Sequence, residues 1–356
     1  MSGVGKAALH GLSCPRLEPA LDRLLGLLGA LARRLEETLQ FPEGRRIELQ
    51  ITDESEVNAR AFLDRDRAVY VIAFTRGMIV WADGMAATIA AWTARDFVAG
   101  PQAKLLLGDL ARAGPDGLQA QLDHVTAWLP ADHAGFWESL LQKACLSVFA
   151  HEASHIVRGH LDLQADRLGG RAAIDELGLV RRRTVLSPAQ VRLLEYDADT
   201  FAARLITHLA LDPPAFLSRW RINTAQETLV EALLGSVLFS VALEWEEQAR
   251  QERAPGYPRP LLRLLSMLIE MDRCWGRARE EEGFFAQVFP AALSVLGMLE
   301  ETFPQIDAIR DLTDAAVLRV TTQEAFAIVD ELASFERVIL AHAFEGDGLW
   351  PAGRYA

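Results

Sequence analysis

The stretch that decides how the chain is read is His151-Glu152-Ala153-Ser154-His155, near the end of a helix-compatible run over residues 136–157. On an α-helix, residues four apart are separated by about 400° of rotation, so His151 and His155 share a face about one turn apart. Both imidazoles can therefore aim a nitrogen at one point. Glu152 is rotated by about 100° from His151, which sets its carboxylate beside that point. Two neutral nitrogen donors, with a carboxylate placed to take a proton from a coordinated water, are what a catalytic zinc needs. A surface helix with two solvated histidines would carry the same pattern, but the flanking residues oppose that reading. Ala144, Leu146, Val148, Phe149, Ala150, Ala153, Ile156 and Val157 make the helix apolar nearly all round, as a buried helix is. Buried histidines and a buried glutamate need partners, and a metal ion supplies one.

Two histidines leave a zinc site short of its usual three protein ligands. The third is expected at Glu195, in Leu194-Glu195-Tyr196-Asp197-Ala198-Asp199-Thr200-Phe201-Ala202. This stretch also reads as helix, so Glu195 and Asp199, four apart, share a face. Glu195 is placed on the metal, with Asp199 behind an imidazole, fixing its tautomer. The alternative is an acidic helix start that favours the positive end of the helix dipole. His160 would lie about 180° from His151 on a continuous helix, which makes it a poor ligand and a supporting residue instead. Gly159 offers an end to the first helix. Ser187-Pro188 reads as the cap and first residue of the second.

The spacing His-Glu-x-x-His-x-x-x-x-His from His151 to His160, followed by Glu-x-Asp-Ala-Asp from Glu195 to Asp199, resembles the CAAX-prenyl-endopeptidase and HtpX-like zinc metallopeptidases, a branch of the gluzincins. Upstream, Val57-Asn58-Ala59-Arg60-Ala61-Phe62 is similar to that family's Asn-Ala strand region, an edge on which substrate lies. Downstream, Tyr257-Pro258-Arg259-Pro260-Leu261-Leu262-Arg263 is similar to its His-Pro…Arg element, whose polar side chains stabilise the oxyanion. The resemblance covers residues 46–270. It implies Zn²⁺ held by His151, His155 and Glu195, Glu152 as general base, Tyr257 and Arg263 as oxyanion donors, and Asn58 and Ala59 beside a peptide substrate. An ordinary loop asparagine is the competing account of Asn58. The chain departs from the family in carrying Tyr257 where a histidine is usual, in a shorter step from His155 to Glu195, and in lacking membrane anchors. The phage-exclusion Lit-like peptidases share only the zinc helix.

With 356 residues, half of them hydrophobic, the chain can bury a large core. A formal net charge of −13 opposes nucleic-acid binding, since phosphate contacts draw on lysine and arginine. Cys14, Cys145 and Cys274 are scattered and odd in number, which implies no disulfide framework and fits a reducing cytoplasm. Residues 1–15 do not read as a signal peptide. The most hydrophobic segment, residues 229–245, is interrupted by acidic residues and shorter than the roughly 20 residues of a membrane span.

Leu21, Leu24, Leu25, Leu28, Leu31 and Leu35 mark an amphipathic helix. Residues 46–52 and 68–74 alternate or are rich in valine and isoleucine, as strands of a small sheet. Residues from about 83 to 130 look helical, with Asp132 as a cap before the zinc helix. Residues 161–187, charged and glycine-containing, read as a connector that could cover a cleft; its Arg181-Arg182-Arg183 is taken as solvated loop. The expected fold is α+β and mostly α-helical, with a small N-terminal sheet beside a zincin-type active-site helix and a helical C-terminal half. The expected division is a helical segment at 1–45, a metallopeptidase domain at 46–270 and a helical extension at 271–356.

The function these features imply is a cytoplasmic zinc endopeptidase acting on a protein or peptide. Two other readings stay open: a dedicated single-target protease of a phage-defence or toxin system, and a non-catalytic helical scaffold with a vestigial metal site.

Overall fold

In chain order, leucines spaced three and four apart build α1 (Leu17–Thr38), whose buried stripe includes Leu21, Leu24, Leu28, Leu31 and Leu35. Three strands follow, β1 (Arg46–Thr52), β2 (Ala59–Asp64) and β3 (Val69–Thr75), then helix α2 (Arg76–Thr93). Next come α3 (Ala134–Val157), α4 (His160–Leu168), β4 (Ala173–Asp175), α5 (Pro188–Leu211), α6 (Ala225–Arg250) and α7 (Pro260–Arg279). The computed structural model describes residues 17–39, 41, 44–54, 56–64, 67–93, 134–168, 173–175, 187–212, 225–250 and 259–279, with a few isolated positions beyond. The architecture is α+β and mostly helical, with the sheet near the N-terminus. Among the described residues, no helix is long and apolar enough to cross a membrane.

The sheet runs in the order β1-β3-β2-β4. β3 is parallel to β1 and antiparallel to β2, and β4 is antiparallel to β2. Every residue of β3 is buried, as expected of an inner strand covered on both faces. Tyr70, Ile72 and Phe74 enter the main core, while Val69, Val71 and Ala73 pack with Phe62 on the other side. β1 buries only alternate residues, Ile47, Leu49 and Ile51, in line with its period-two sequence. The chain passes from β3 directly into α2, where the Met78 amide donates to Thr75 Oγ1 at 3.1 Å and so caps the helix start.

Helix α3 lies at the centre. α2 is tied to it by Trp137, whose indole donates to the buried Asp83 carboxylate at 2.8 Å. α6 packs on its first half at very short range: a Cβ on Gly235 would stand 2.6 Å from the backbone carbon of Lys143. That approach needs a glycine, because any side chain would meet backbone that cannot swing away. α5 opens on Ser187, which accepts from the Gln190 amide while the Gln190 side chain accepts from the Ser187 amide, a complete capping box with Pro188 at the first position.

The structure adds detail to the expected organisation. The connector after Gly159 is not all loop, since its first residues form α4; Leu161, Leu163 and Ala165 give it a buried side. Among the described residues, one buried core takes in residues from Leu17 to Trp275, and α1 contributes Leu21, Leu24 and Leu28 to it. Asn58 and Ala59, expected beside a substrate, stand where β2 begins. Both residues are buried, the Asn58 carbonyl accepts from the Thr75 amide at 3.1 Å, and β4 pairs with β2 at Arg60, Ala61 and Phe62 on the side away from β3. Three residues of the chain's own connector supply that pairing, and a stretch so short has no pattern to reveal it. Asp132, Tyr257 and Arg181-Arg182-Arg183 lie outside the described residues, as do residues 94–133.

Candidate metal centre

The ligand positions are set by two helices that cross. The second half of α3 presents His151 and His155, and the first half of α5 presents Glu195 and Asp199 four residues apart. One ligand atom each from His151, His155 and Glu195 lies within 4.8 Å of the others, and all three side chains are buried. The two Nε2 atoms are 2.9 Å apart. Glu195 places Oε2 at 3.3 Å from His151 Nε2 and Oε1 at 3.8 Å from His155 Nε2. Tetrahedral zinc with bonds of about 2.0–2.1 Å needs ligand atoms separated by little more than 3 Å, so the cluster is close to that size.

The protons on the two rings follow from what stands behind them. Asp199 Oδ1 is 2.8 Å from His151 Nδ1, and an ionised carboxylate can only accept, so Nδ1 carries the proton and Nε2 the lone pair. Burial alone would raise the Asp199 pKa, but the Arg263 guanidinium and His151 outweigh it and hold the carboxyl below its usual range. Arg263, itself buried, donates from Nε to Asp199 Oδ2 at 2.9 Å and from Nη2 to Oδ1 at 2.9 Å. The same Nη2 lies 3.1 Å from His151 Nδ1 and 3.2 Å from Nε2, so it sits over the ring between the two nitrogens and the tautomer is set by Asp199 alone.

His155 is backed by a longer series. Its Nδ1 is 2.9 Å from His160 Nδ1, and His160 Nε2 is 2.9 Å from Asp197 Oδ2. Asp197 also accepts from Arg158 at 2.7 and 2.9 Å. Burial keeps the His160 pKa below its ordinary value although Asp197 pulls upward, so the ring is neutral. His160 reaches His155 because the helix stops. Gly159 has φ of 71°, a left-handed conformation that ends α3 and starts α4 in a new direction. α4 is in turn fixed to the sheet, where Tyr70 donates to Asp162 Oδ2 at 2.6 Å and Arg45 donates to Oδ1 at 2.9 Å.

The donor set fits a divalent cation on two grounds. With His151 protonated on Nδ1, its Nε2 lone pair and the Glu195 carboxylate converge with His155 Nε2 on one point, an arrangement that favours something positive between them. Four carboxylates, Glu152, Glu195, Asp197 and Asp199, are buried here against the guanidiniums of Arg158 and Arg263. Among the described residues carboxylates thus outnumber guanidiniums by four to two, a donor set that suits a dication.

Glu195, Asp199, Arg263 and His160 thus come together with His151 and His155, and Glu152 is fully buried at the next position of α3. Asn58 and Ala59 belong to the sheet. Two further members are Asp197, the middle carboxylate of the Glu-x-Asp-Ala-Asp stretch, to which the sequence reading assigns no role, and Arg158, which carries no sequence signal of its own. Asp197 sits between two motif carboxylates, and Arg158 gains meaning only once Asp197 is seen across from it. Comparison of the chain with protein-family models, with curated proteins and with solved structures finds no match.

Proposed function

We propose that the chain is a zinc-dependent endopeptidase of the gluzincin kind, acting on a protein or peptide. The observation that supports this most is the buried convergence of His151, His155 and Glu195 on one point, with Glu152 next to His151 on the same helix. In this reading His151, His155 and Glu195 hold the metal. Zinc, when bound, supplies Lewis acidity and lowers the pKa of its water to about 7. Glu152 accepts the proton of the attacking water, and returns it to the amine as the peptide bond breaks. A structural site would need no such base. Arg263, with Nη2 at 3.8 Å from Glu195 Oε2, is the cation this reading assigns to the developing negative charge on the carbonyl oxygen. Asp199 keeps His151 in the ligating tautomer.

The test is to purify the full chain, measure its zinc content and digest a peptide library with it, alongside the Glu152→Gln variant. The expected result is one equivalent of zinc in both proteins and turnover lower by about 10²- to 10⁴-fold in the variant. A wild-type protein that takes up no zinc, or a variant that cleaves as fast as the parent, overturns the proposal.

A further inference from the structure

We propose that Arg158, Asp197 and His160 form a positioning chain for His155, with His160 as an intermediary that hands the orienting effect of a carboxylate on to the ligand ring. The inference deepens the metal-centre reading and rests on it. Its basis is proton placement. For His155 Nε2 to face a metal its proton must sit on Nδ1, and the group 2.9 Å away, His160 Nδ1, must then accept. A neutral imidazole accepts at one nitrogen only if it donates from the other. His160 Nε2 does face an acceptor, Asp197 Oδ2 at 2.9 Å, and Asp197 is held in place by the fork of Arg158 at 2.7 and 2.9 Å. Each link fixes the next, from guanidinium to carboxylate to imidazole to imidazole.

The two ligand histidines are thus oriented by separate arginine-pinned carboxylates. His151 has Asp199 in direct contact, pinned by Arg263. His155 has Asp197 at one remove. The extra ring is needed because Asp197 is engaged by Arg158 and His160, both set by the turn at Gly159, so the carboxylate serves the end of α3 and the start of α4 together. The tyrosine, arginine and aspartate contacts that fasten α4 to the sheet keep the intermediary ring from drifting.

Zinc affinity of the full chain, read by competition with a chromophoric chelator, tests this without reference to activity. His160→Phe keeps the ring volume and removes the acceptor; zinc binding should weaken about 10- to 100-fold. His160→Asn restores an acceptor near the Nδ1 position and should recover most of that loss. Asp197→Asn, which keeps an oxygen for His160, should weaken binding less than His160→Phe and covers the case in which the phenylalanine variant does not fold. Gly235→Ala, a strained site away from the chain, should leave affinity as it is and so separates positioning from general damage. In the zinc-loaded wild type, nitrogen-15 histidine spectra should show His155 protonated on Nδ1 and His160 on Nε2. If His160→Phe and Asp197→Asn both bind zinc within about twofold of wild type, or His160 carries its proton on Nδ1, the positioning chain is wrong and the zinc centre stands. If wild type itself takes up no zinc, both fall.

Discussion

The second half of α3 is buried throughout and the first half only in part, and the two handle polarity in different ways. In the stretch up to Ser147, the side chains of Ser139, Lys143 and Ser147 itself are closed off against α6, while Trp137 and Glu138 turn to α2 and α1. Ser147 Oγ meets Ser236 Oγ at 3.1 Å, Ser139 donates to Glu231 at 2.5 Å, and Lys143 stands 4.0 Å from the same carboxylate. In the second half polarity accumulates: His151, Glu152 and His155 draw in groups from α4, α5 and α7 and leave an excess of negative charge around three converging acceptors. The first half is a seam between two helices, made tight by Gly235. The second is a socket. A helix clamped at one end against a fixed neighbour can carry ligands at the other with little freedom to drift, which is what preorganised chemistry demands.

Four substitutions break or sharpen that contrast. The largest effect belongs to His151→Ala at the socket, which should abolish zinc uptake, read as metal content after gel filtration; retained zinc would mean the acceptors of α3 are not the ligands. Next, Asp199→Ala leaves the Arg263 charge buried without its carboxylate, and urea denaturation of the metal-free protein should show a loss of about 3–5 kcal/mol. At the seam, Gly235→Ala forces a methyl against the Lys143 backbone and should cost about 1–3 kcal/mol by the same measurement while zinc uptake persists. Loss of zinc in that variant would show that the halves are not separable.

The smallest effect is one of pH. Burial, opposed by Glu231, lowers the Lys143 ammonium to about 8. Between that value and the unfolded value of about 10.4, the unfolded chain binds more protons, so this residue makes stability rise with pH in that window. Below it, the cost of the buried charge is present in full. Lys143→Met should remove the alkaline gain, seen as a difference of about 1–2 kcal/mol between wild type and variant in the change from pH ~7.5 to ~10. Parallel pH profiles for the two proteins would refute it.

The socket is more legible in the sequence than its surroundings are, for reasons of spacing. His151, His155, Glu195 and Asp199 announce themselves through four-residue intervals, and Ser187-Pro188 through capping chemistry. Arg263 stands out only through resemblance to a loop element; the geometry places it on Asp199. Asp197 belongs to the Glu-x-Asp-Ala-Asp stretch, but its pairing with Arg158 is invisible beforehand because it crosses 39 residues and two helices. The pairing of β4 with β2 is equally hidden, since three residues have no periodicity to read. What covers Arg60, Ala61 and Phe62 lies more than a hundred residues on in the chain.

Gly159 carries a lesson for reading other sequences. Helical periodicity by itself discards a histidine five places after another, because a continuous coil sends the two to different sides. A glycine immediately before the later one brings it back into play, by letting the backbone double back and set ring against ring. The pattern to search for is therefore His-x-x-x-Gly-His with an aspartate two residues after a downstream glutamate, a signature of a ligand braced by its neighbour.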